Sequence, residues 1–334
     1  MVIIRTDFGD LKYVLNNMNA TLEVAKYEFR CRFLQDTVLP NFKGSTFRGV
    51  FGRALRNISC GIKDSDCSSC KIKNSCLYAK VFEQDLEKLK EDNNFSPAHA
   101  YVIECDDNKK TRFQKDDYFI FNLILFGEYI YKIPYFIYAV VEMGKIGFGR
   151  KNENGERAKF IIRDVISDGK EIYSDVTKEI NNSPNSCMIR KKYFEYLFDD
   201  YKELNQVSIV LETPLRFKQK SVLTDTLSFE TLIKLVIRRL NTLFKMYGSD
   251  TLNFNLDLLF EESKKVQILE NNLYWKDNKR YSLRQKHSML LGGLQGEIKY
   301  EGNLAIFMPF LMVAKDLHLG KQTSFGLGKI DVKI

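Results

Sequence analysis

The sequence predicts an α+β protein made of two similar halves. Three observations carry this. Strand-type and helix-type stretches alternate along the chain. Each half opens with a strand running into an amphipathic helix, and each ends near a glycine-rich turn. With 334 residues, the chain has room for two domains that each bury a core. Apolar residues make up 44% and charged residues 28%, the balance of a globular chain rather than a disordered one.

The first half begins at Leu22–Leu34, where apolar and polar residues alternate as in a half-buried strand. Pro40 and Gly44 interrupt the pattern. Ser45 is placed to cap a helix over 46–58, with Phe47, Val50, Phe51 and Leu55 on one face and Arg48, Arg53 and Arg56 off it. A cysteine loop follows. Tyr118–Phe126 reads as a strand, Tyr135–Val141 as a further apolar segment, Gly144–Arg150 as a glycine turn, and 159–164 as a strand. In the second half, Gln206–Phe217 reads as a strand and Ser228–Tyr247 as a helix, with Leu232, Leu235, Val236, Leu240 and Leu243 as its stripe. Helix plus connector is expected over 252–273. Stretches 294–300 and 304–311 read as strands, or a strand and a helix start, and Ile330–Ile334 as the last strand. This order fits tandem ferredoxin-like (RRM-like) βαββαβ domains. The amino-terminal one spans 1–195 with a four-cysteine insert at about 58–80, the carboxy-terminal one spans 196–334, and the seam lies near 185–205.

The net charge is +8, concentrated late in the chain. Residues 201–334 carry 20 Lys and Arg against 14 Asp and Glu, whereas residues 1–200 carry 31 against 29. A basic carboxy-terminal half suits a polyanion such as RNA. Apolar runs such as Leu304–Ala314 are far shorter than the ~20 residues a membrane helix needs. The start, Met-Val-Ile-Ile-Arg-Thr-Asp, lacks the pattern of a secretion signal, so a cytoplasmic protein without membrane attachment is expected.

Seven cysteines in such a chain argue against a disulfide framework. Four of them, Cys60, Cys67, Cys70 and Cys76, are spaced C-x6-C-x2-C-x5-C. Four thiolates on a short polar loop can close a tetrahedral zinc site that staples a segment lacking its own core. An iron–sulfur cluster could use the same four, and free thiols are the third reading.

The two glycine turns are Gly144-Lys-Ile-Gly-Phe-Gly-Arg150 and Gly320-Lys-Gln-Thr-Ser-Phe-Gly-Leu-Gly-Lys329. Glycine allows positive φ and close approach, and successive amides can form a nest for phosphate. A tight structural turn is the competing reading. Neither turn joins a strand directly to a helix, and no P-loop pattern is present, which excludes the usual nucleotide-binding signatures. Gly320, Lys321, Gln322, Thr323, Ser324, Gly326, Gly328 and Lys329 are the candidate phosphate contacts. A second basic stretch, Trp275–His287, interleaves aromatics with Arg280, Arg284, Lys286 and His287. It could stack bases and grip a backbone, or simply form an exposed hairpin rim.

The closing loop with His318, the segment Phe42-Lys-Gly-Ser-Thr-Phe-Arg-Gly-Val-Phe-Gly-Arg-Ala-Leu-Arg56, the cysteine loop and Thr213-Pro-Leu-Arg216 together resemble the CRISPR repeat-processing endoribonucleases of the RAMP superfamily. The resemblance narrows to the branch with a cysteine-rich insert after the first helix. It implies two tandem ferredoxin-like folds that bind repeat, precursor and mature guide RNA. It further implies one metal-independent cut per repeat, in which the 2′-hydroxyl attacks the adjacent phosphate and leaves a 2′,3′-cyclic end. Other CRISPR effector subunits and a homodimeric partner are among the interactions it suggests. Such chemistry needs a base, an acid and a cation over the phosphorane. Residues 41–59 contain no histidine, unlike the best-known relatives, so the helix offers Lys43, Ser45, Arg48 and Arg53. Of the three histidines, His99 lies in a polar stretch and reads as incidental. His318 beside the glycine loop is the favoured general acid or base, with Lys321 steadying charge and Lys43 assisting; a structural His318 hydrogen-bonded to the loop and a lysine-assisted site without a histidine are the rival readings. The alternative is a non-catalytic RAMP subunit that holds RNA without cutting it.

Overall fold

A computed structural model describes residues 19–62, 66–83, 97–105, 110–181, 186–201, 203–217, 226–252, 255–282 and 287–334. The chain divides into two compact units. One comprises Val24–Cys187 together with Ser324–Gly326, and the other is built mainly from Met188–Thr323 and Leu327–Ile334.

In the amino-terminal unit, strand β1 (Leu22–Phe33) turns Tyr27, Phe29, Cys31 and Phe33 inward and Lys26 and Arg30 outward, the period of two expected from its sequence. The short β2 (Thr37–Val38) leads to helix α1 (Gly44–Ser59) and then to α2 (Leu77–Phe82). Next come β3 (Tyr101–Cys105), β4 (Arg112–Phe113), β5 (Tyr118–Phe126), helix α3 (Ile133–Ile146), β6 (Phe160–Ser167) and β7 (Lys170–Ser174). The main sheet runs β3-β5-β1-β6-β7, with neighbouring strands along this path antiparallel. Strand β2 pairs with β4. Strand β8 (Cys187–Ile189) falls at the boundary between the units.

A cluster of phenylalanine rings fills this core. Phe47 of α1 lies 4.7 Å from Phe148 and 5.2 Å from Phe121, and Phe33 lies 4.5 Å from Phe119. Edge-to-face and tilted contacts of this kind add to simple area burial.

The carboxy-terminal unit contains α4 (Lys191–Tyr201), β9 (Gln206–Leu215), α5 (Phe229–Tyr247), α6 (Leu256–Ser263) and β10 (Gln267–Lys276). The hairpin β11 (Lys279–Ser282) and β12 (His287–Leu290) follows, then β13 (Gly293–Glu301), α7 (Met308–Ala314) and β14 (Ile330–Lys333). The sheet order is β10-β13-β9-β14, with antiparallel pairs throughout. Helix α5 starts where Ser228 Oγ accepts the Thr231 amide at 3.2 Å, and it buries Leu232, Val236, Leu240 and Leu243. No helix among the described residues is long and apolar enough to cross a membrane.

The long elements stand where their periodicity placed them; three local expectations change. Helix α1 begins one residue before Ser45, with Lys43 as N-cap and no side-chain cap. The segment 144–150 is not all turn. Residues 144–146 finish α3, and Gly147, at φ +71°, ends the helix. The connector after α6 is the edge strand β10, whose mostly exposed residues lack the alternation that marks a strand. Of the two readings offered for 294–300 and 304–311, a strand followed by a helix start is the one found.

The aromatic cluster yields a direct test. Phe47 is 2% exposed, and Phe47→Ala should cost about 3–5 kcal/mol. Urea denaturation of the variant measures this, and a loss below about 1 kcal/mol would show that the rings do not hold the unit together.

Candidate functional site

The closing glycine loop is built into the protein, largely out of contact with solvent. Thr323, Ser324, Phe325, Gly326, Leu327 and Gly328 are buried, Gly320, Gln322 and Lys329 are half-buried, and Lys321 is exposed. Its amides serve the protein's own backbone. Leu319 N–H donates to Gly328 O at 2.8 Å, Lys321 N–H to Arg216 O at 2.8 Å and Gly328 N–H to Pro214 O at 3.1 Å. Lys329 N–H donates to Thr213 Oγ1 at 2.8 Å. The Thr213–Arg216 segment therefore holds the loop. Gly328, at φ +76°, lies so close to the Leu319 carbonyl that a Cβ would overlap it. Of the two readings of this loop, the tight structural turn describes these bonded amides, and an open phosphate nest does not. Lys329 Nζ is paired with Glu212 at 2.8 Å. Lys321 is exposed, and Gln322 Oε1 is enclosed with no hydrogen-bond partner among the described residues.

His318 is 0% exposed, at φ +56°, with Nδ1 3.1 Å from Leu327 O. Just before it, buried Arg239 donates from Nε to Leu317 O at 3.0 Å, and burial lowers that guanidinium to about 10. A general acid or base has to touch the substrate. His318 is walled in by the loop it bonds, so the assignment of His318 as catalyst is corrected to a structural one. Lys43 is only 6% exposed, beside a cavity of about 140 Å³ lined in part by Phe47, Lys110, Phe113 and Tyr118.

The first helix instead turns Arg48 inward, in a cluster lying wholly within the amino-terminal unit. Arg48 Nε donates to Ser324 Oγ at 3.1 Å, and Nη2 lies 3.1 Å from His99 Nε2. Its guanidinium sits over the rings of Phe325 at 4.6 Å and Phe82 at 5.2 Å. The other ring nitrogen of His99, Nδ1, is 3.1 Å from Val81 O. The ring of Tyr101 lies 5.5 Å from that of His99, and burial pushes its phenol up while Arg48 opposes the shift. Both Arg48 and His99 are half-buried. His99 is the residue that sequence reading set aside. Its neighbours in sequence carry no catalytic pattern, and only the approach of α1 to the start of β3 brings it to an arginine.

Arg53 is exposed on α1. Arg280 and His287 lie on the β11–β12 hairpin, paired at Arg280↔Met289 and Ser282↔His287, while Arg284 and Lys286 lie outside the described residues.

The cysteine loop has the donors for a soft cation. No described residue between Gly61 and Cys76 is buried, and all four thiols are half-buried. Burial pushes the Cys67 thiol up, Arg56 opposes it, and Cys60 and Cys76 are near enough to add to it. The donor chemistry fits zinc. Among the described residues, no three His, Cys, Asp or Glu side chains converge closely enough to hold an ion.

The α+β architecture with two antiparallel sheets is a fold shared with RAMP-type Cas6 proteins. Thermus thermophilus Cas6 superimposes with a TM-score of 0.55 at 11% identity, over 93% of this chain and 99% of that one. A chain from a partial Cas6-RT-Cas1–Cas2 complex superimposes with a TM-score of 0.56 at 11% identity, over 95% of this chain. This protein spans only 47% of that chain's length. Within that class, residues 209–330 match the family model described as CRISPR-associated endoribonuclease Cas6, and residues 22–185 match one described as an N-terminal domain. The resemblance to CRISPR repeat-processing proteins therefore holds, with the Cas6 family model accounting for residues 209–330 of this chain. An uncharacterized protein of Archaeoglobus fulgidus is 26% identical over 232 residues, covering 70% of this chain and 73% of its own.

The enclosure of His318 makes its loss a stability effect. His318→Ala should lower the free energy of unfolding by about 1–3 kcal/mol, through the unmet Leu327 carbonyl and the lost packing. A denaturation midpoint indistinguishable from wild type would show that the ring has no structural part.

Proposed function

We propose that this protein is a CRISPR precursor-RNA processing endoribonuclease that cuts each repeat once, by attack of a ribose 2′-hydroxyl on the adjacent phosphate. The observation that carries the reading is the Cas6 match over residues 209–330. The strand orders support reading each unit as a ferredoxin-like domain; the boundary expected at 195/196 falls inside helix α4, and the units divide at Cys187/Met188 instead. Taken as second, third, first and fourth strands of a βαββαβ plan, β3-β5-β1-β6 and β10-β13-β9-β14 follow one order. Charge supports an RNA partner, with exposed Lys321 and Arg53 and the basic β11–β12 hairpin as its contacts. The same reading puts the protein in the cytoplasm. Other CRISPR subunits belong among its partners, as in the Cas6-RT-Cas1–Cas2 assembly, and so does a second copy of the chain.

The chemistry needs no metal at the cleavage site. Purified protein incubated with repeat RNA in EDTA should yield a product ending in a 2′,3′-cyclic phosphate, identified by mass spectrometry. Bound but uncut RNA would assign the protein to the non-catalytic RAMP subunits instead.

Zinc at Cys60, Cys67, Cys70 and Cys76 is proposed as a structural staple, favoured by four thiols on a loop with no buried residue among those described. Elemental analysis should find about one zinc per chain, and Cys67→Ser with Cys70→Ser should abolish it. Iron with visible absorbance would replace zinc by an iron–sulfur cluster, and metal-free protein would leave the thiols free.

A further inference from the structure

We infer that His99 and Arg48 form the catalytic pair, His99 Nε2 taking the proton from the ribose 2′-hydroxyl and Arg48 holding the phosphate under attack. The inference rests on the endoribonuclease reading above and assigns the residues that perform it.

The geometry determines which nitrogen of His99 is the base. Nδ1 faces the Val81 carbonyl at 3.1 Å, and a carbonyl can only accept, so Nδ1 carries the proton. Nε2 faces Arg48 Nη2 at 3.1 Å, and a guanidinium can only donate, so Nε2 carries the lone pair. Two unambiguous partners thus define one tautomer, the one a proton acceptor needs. The Val81 carbonyl also fixes the ring's orientation, as the partner of a catalytic imidazole does.

Arg48 suits the second task. Its planar fork matches phosphate oxygens bidentately. Ser324 Oγ and the rings of Phe82 and Phe325 hold it in place before any RNA arrives. For the step, Nη2 gives up His99 Nε2 to the 2′-hydroxyl, while Ser324 and the two rings keep the guanidinium near the developing phosphorane. A guanidinium has five donors, so it can receive a phosphate while keeping some of its present bonds.

Both residues are half-buried, whereas His318 is fully enclosed. Tyr101 lines the same cluster, its phenol kept protonated by burial. In the step itself, the 2′-hydroxyl proton passes to His99 Nε2 and the 2′-oxygen bonds to phosphorus. The bond from phosphorus to the 5′-oxygen breaks, and that oxygen takes a proton from water. The imidazolium returns its proton to solvent, leaving a cyclic phosphate and a 5′-hydroxyl.

The test is single-turnover cleavage of repeat RNA in EDTA, with affinity measured in parallel by filter binding. His99→Ala should slow cleavage by about 100-fold or more, with RNA affinity within about threefold of wild type. Added imidazole should restore part of the rate, and the wild-type limb that rises with pH should be absent from the variant. Arg48→Ala should lose cleavage to a similar degree, with Arg48→Lys retaining part of it. His99→Gln, which keeps a polar side chain of similar size, serves if circular dichroism shows His99→Ala to be unfolded. Folded His99→Ala or His99→Gln protein that cuts at the wild-type rate would overturn the pair and leave the nuclease reading standing. A slowed rate without imidazole rescue and with an unchanged pH profile would make His99 structural and also overturn it. Failure of wild type to cut would overturn the nuclease reading itself.

Discussion

A half-buried guanidinium organises the amino-terminal unit. Arg48 is turned inward from α1, and a cation so placed must be met by acceptors and by the faces of aromatic rings. Ser324, His99, Phe82 and Phe325 meet it. Hydrogen bonds to a charged group contribute about 1.5–3 kcal/mol each, more than neutral ones, and an unmet charge costs more still. The helix accommodates these partners by starting on glycine. Gly44 lies against the Phe325 carbonyl, where a Cβ would collide with backbone. The residue at the helix start and the tip of the closing loop are therefore matched in shape as well as in charge.

That constraint changes what the glycine-rich ending means. Its residues resemble those of a phosphate-binding loop, small and flanked by lysines and hydroxyls. In the folded chain, Gly320, Gly326 and Gly328 all lie at positive φ, and the amides of Leu319, Lys321, Gly328 and Lys329 are bonded to the protein itself. The loop thus acts as a scaffold, delivering Ser324 and Phe325 to Arg48. The link from glycine pattern to RNA is indirect, through the residues the loop positions. His318 belongs to the same scaffold, its ring closing the loop on Leu327.

The cysteine loop and the basic hairpin stand apart from this scaffold. Both are polar in sequence, and no described residue between Gly61 and Cys76 is buried. Such segments suit a partner outside themselves, a cation for four thiols and a polyanion for a basic stretch.

The chain's own periodicity determined its long elements. Alternation over Leu22–Phe33 and the apolar stripe of Phe229–Tyr247 are local properties, and each element needs only its own residues to display them. The family resemblance was legible for the same reason, since it rests on short contiguous motifs. Strand β10 was not legible, because an exposed edge strand need not alternate. Only the tertiary structure decided which histidine matters. His99 and Arg48 are separated by 51 positions, and Arg48 and Ser324 by 276, so no spacing along the chain could announce their meeting. Burial likewise belongs to the whole fold. His318 sits in a sequence that looks exposed and reactive, and it is enclosed because the Thr213–Arg216 segment, distant in sequence, occupies the amides around it.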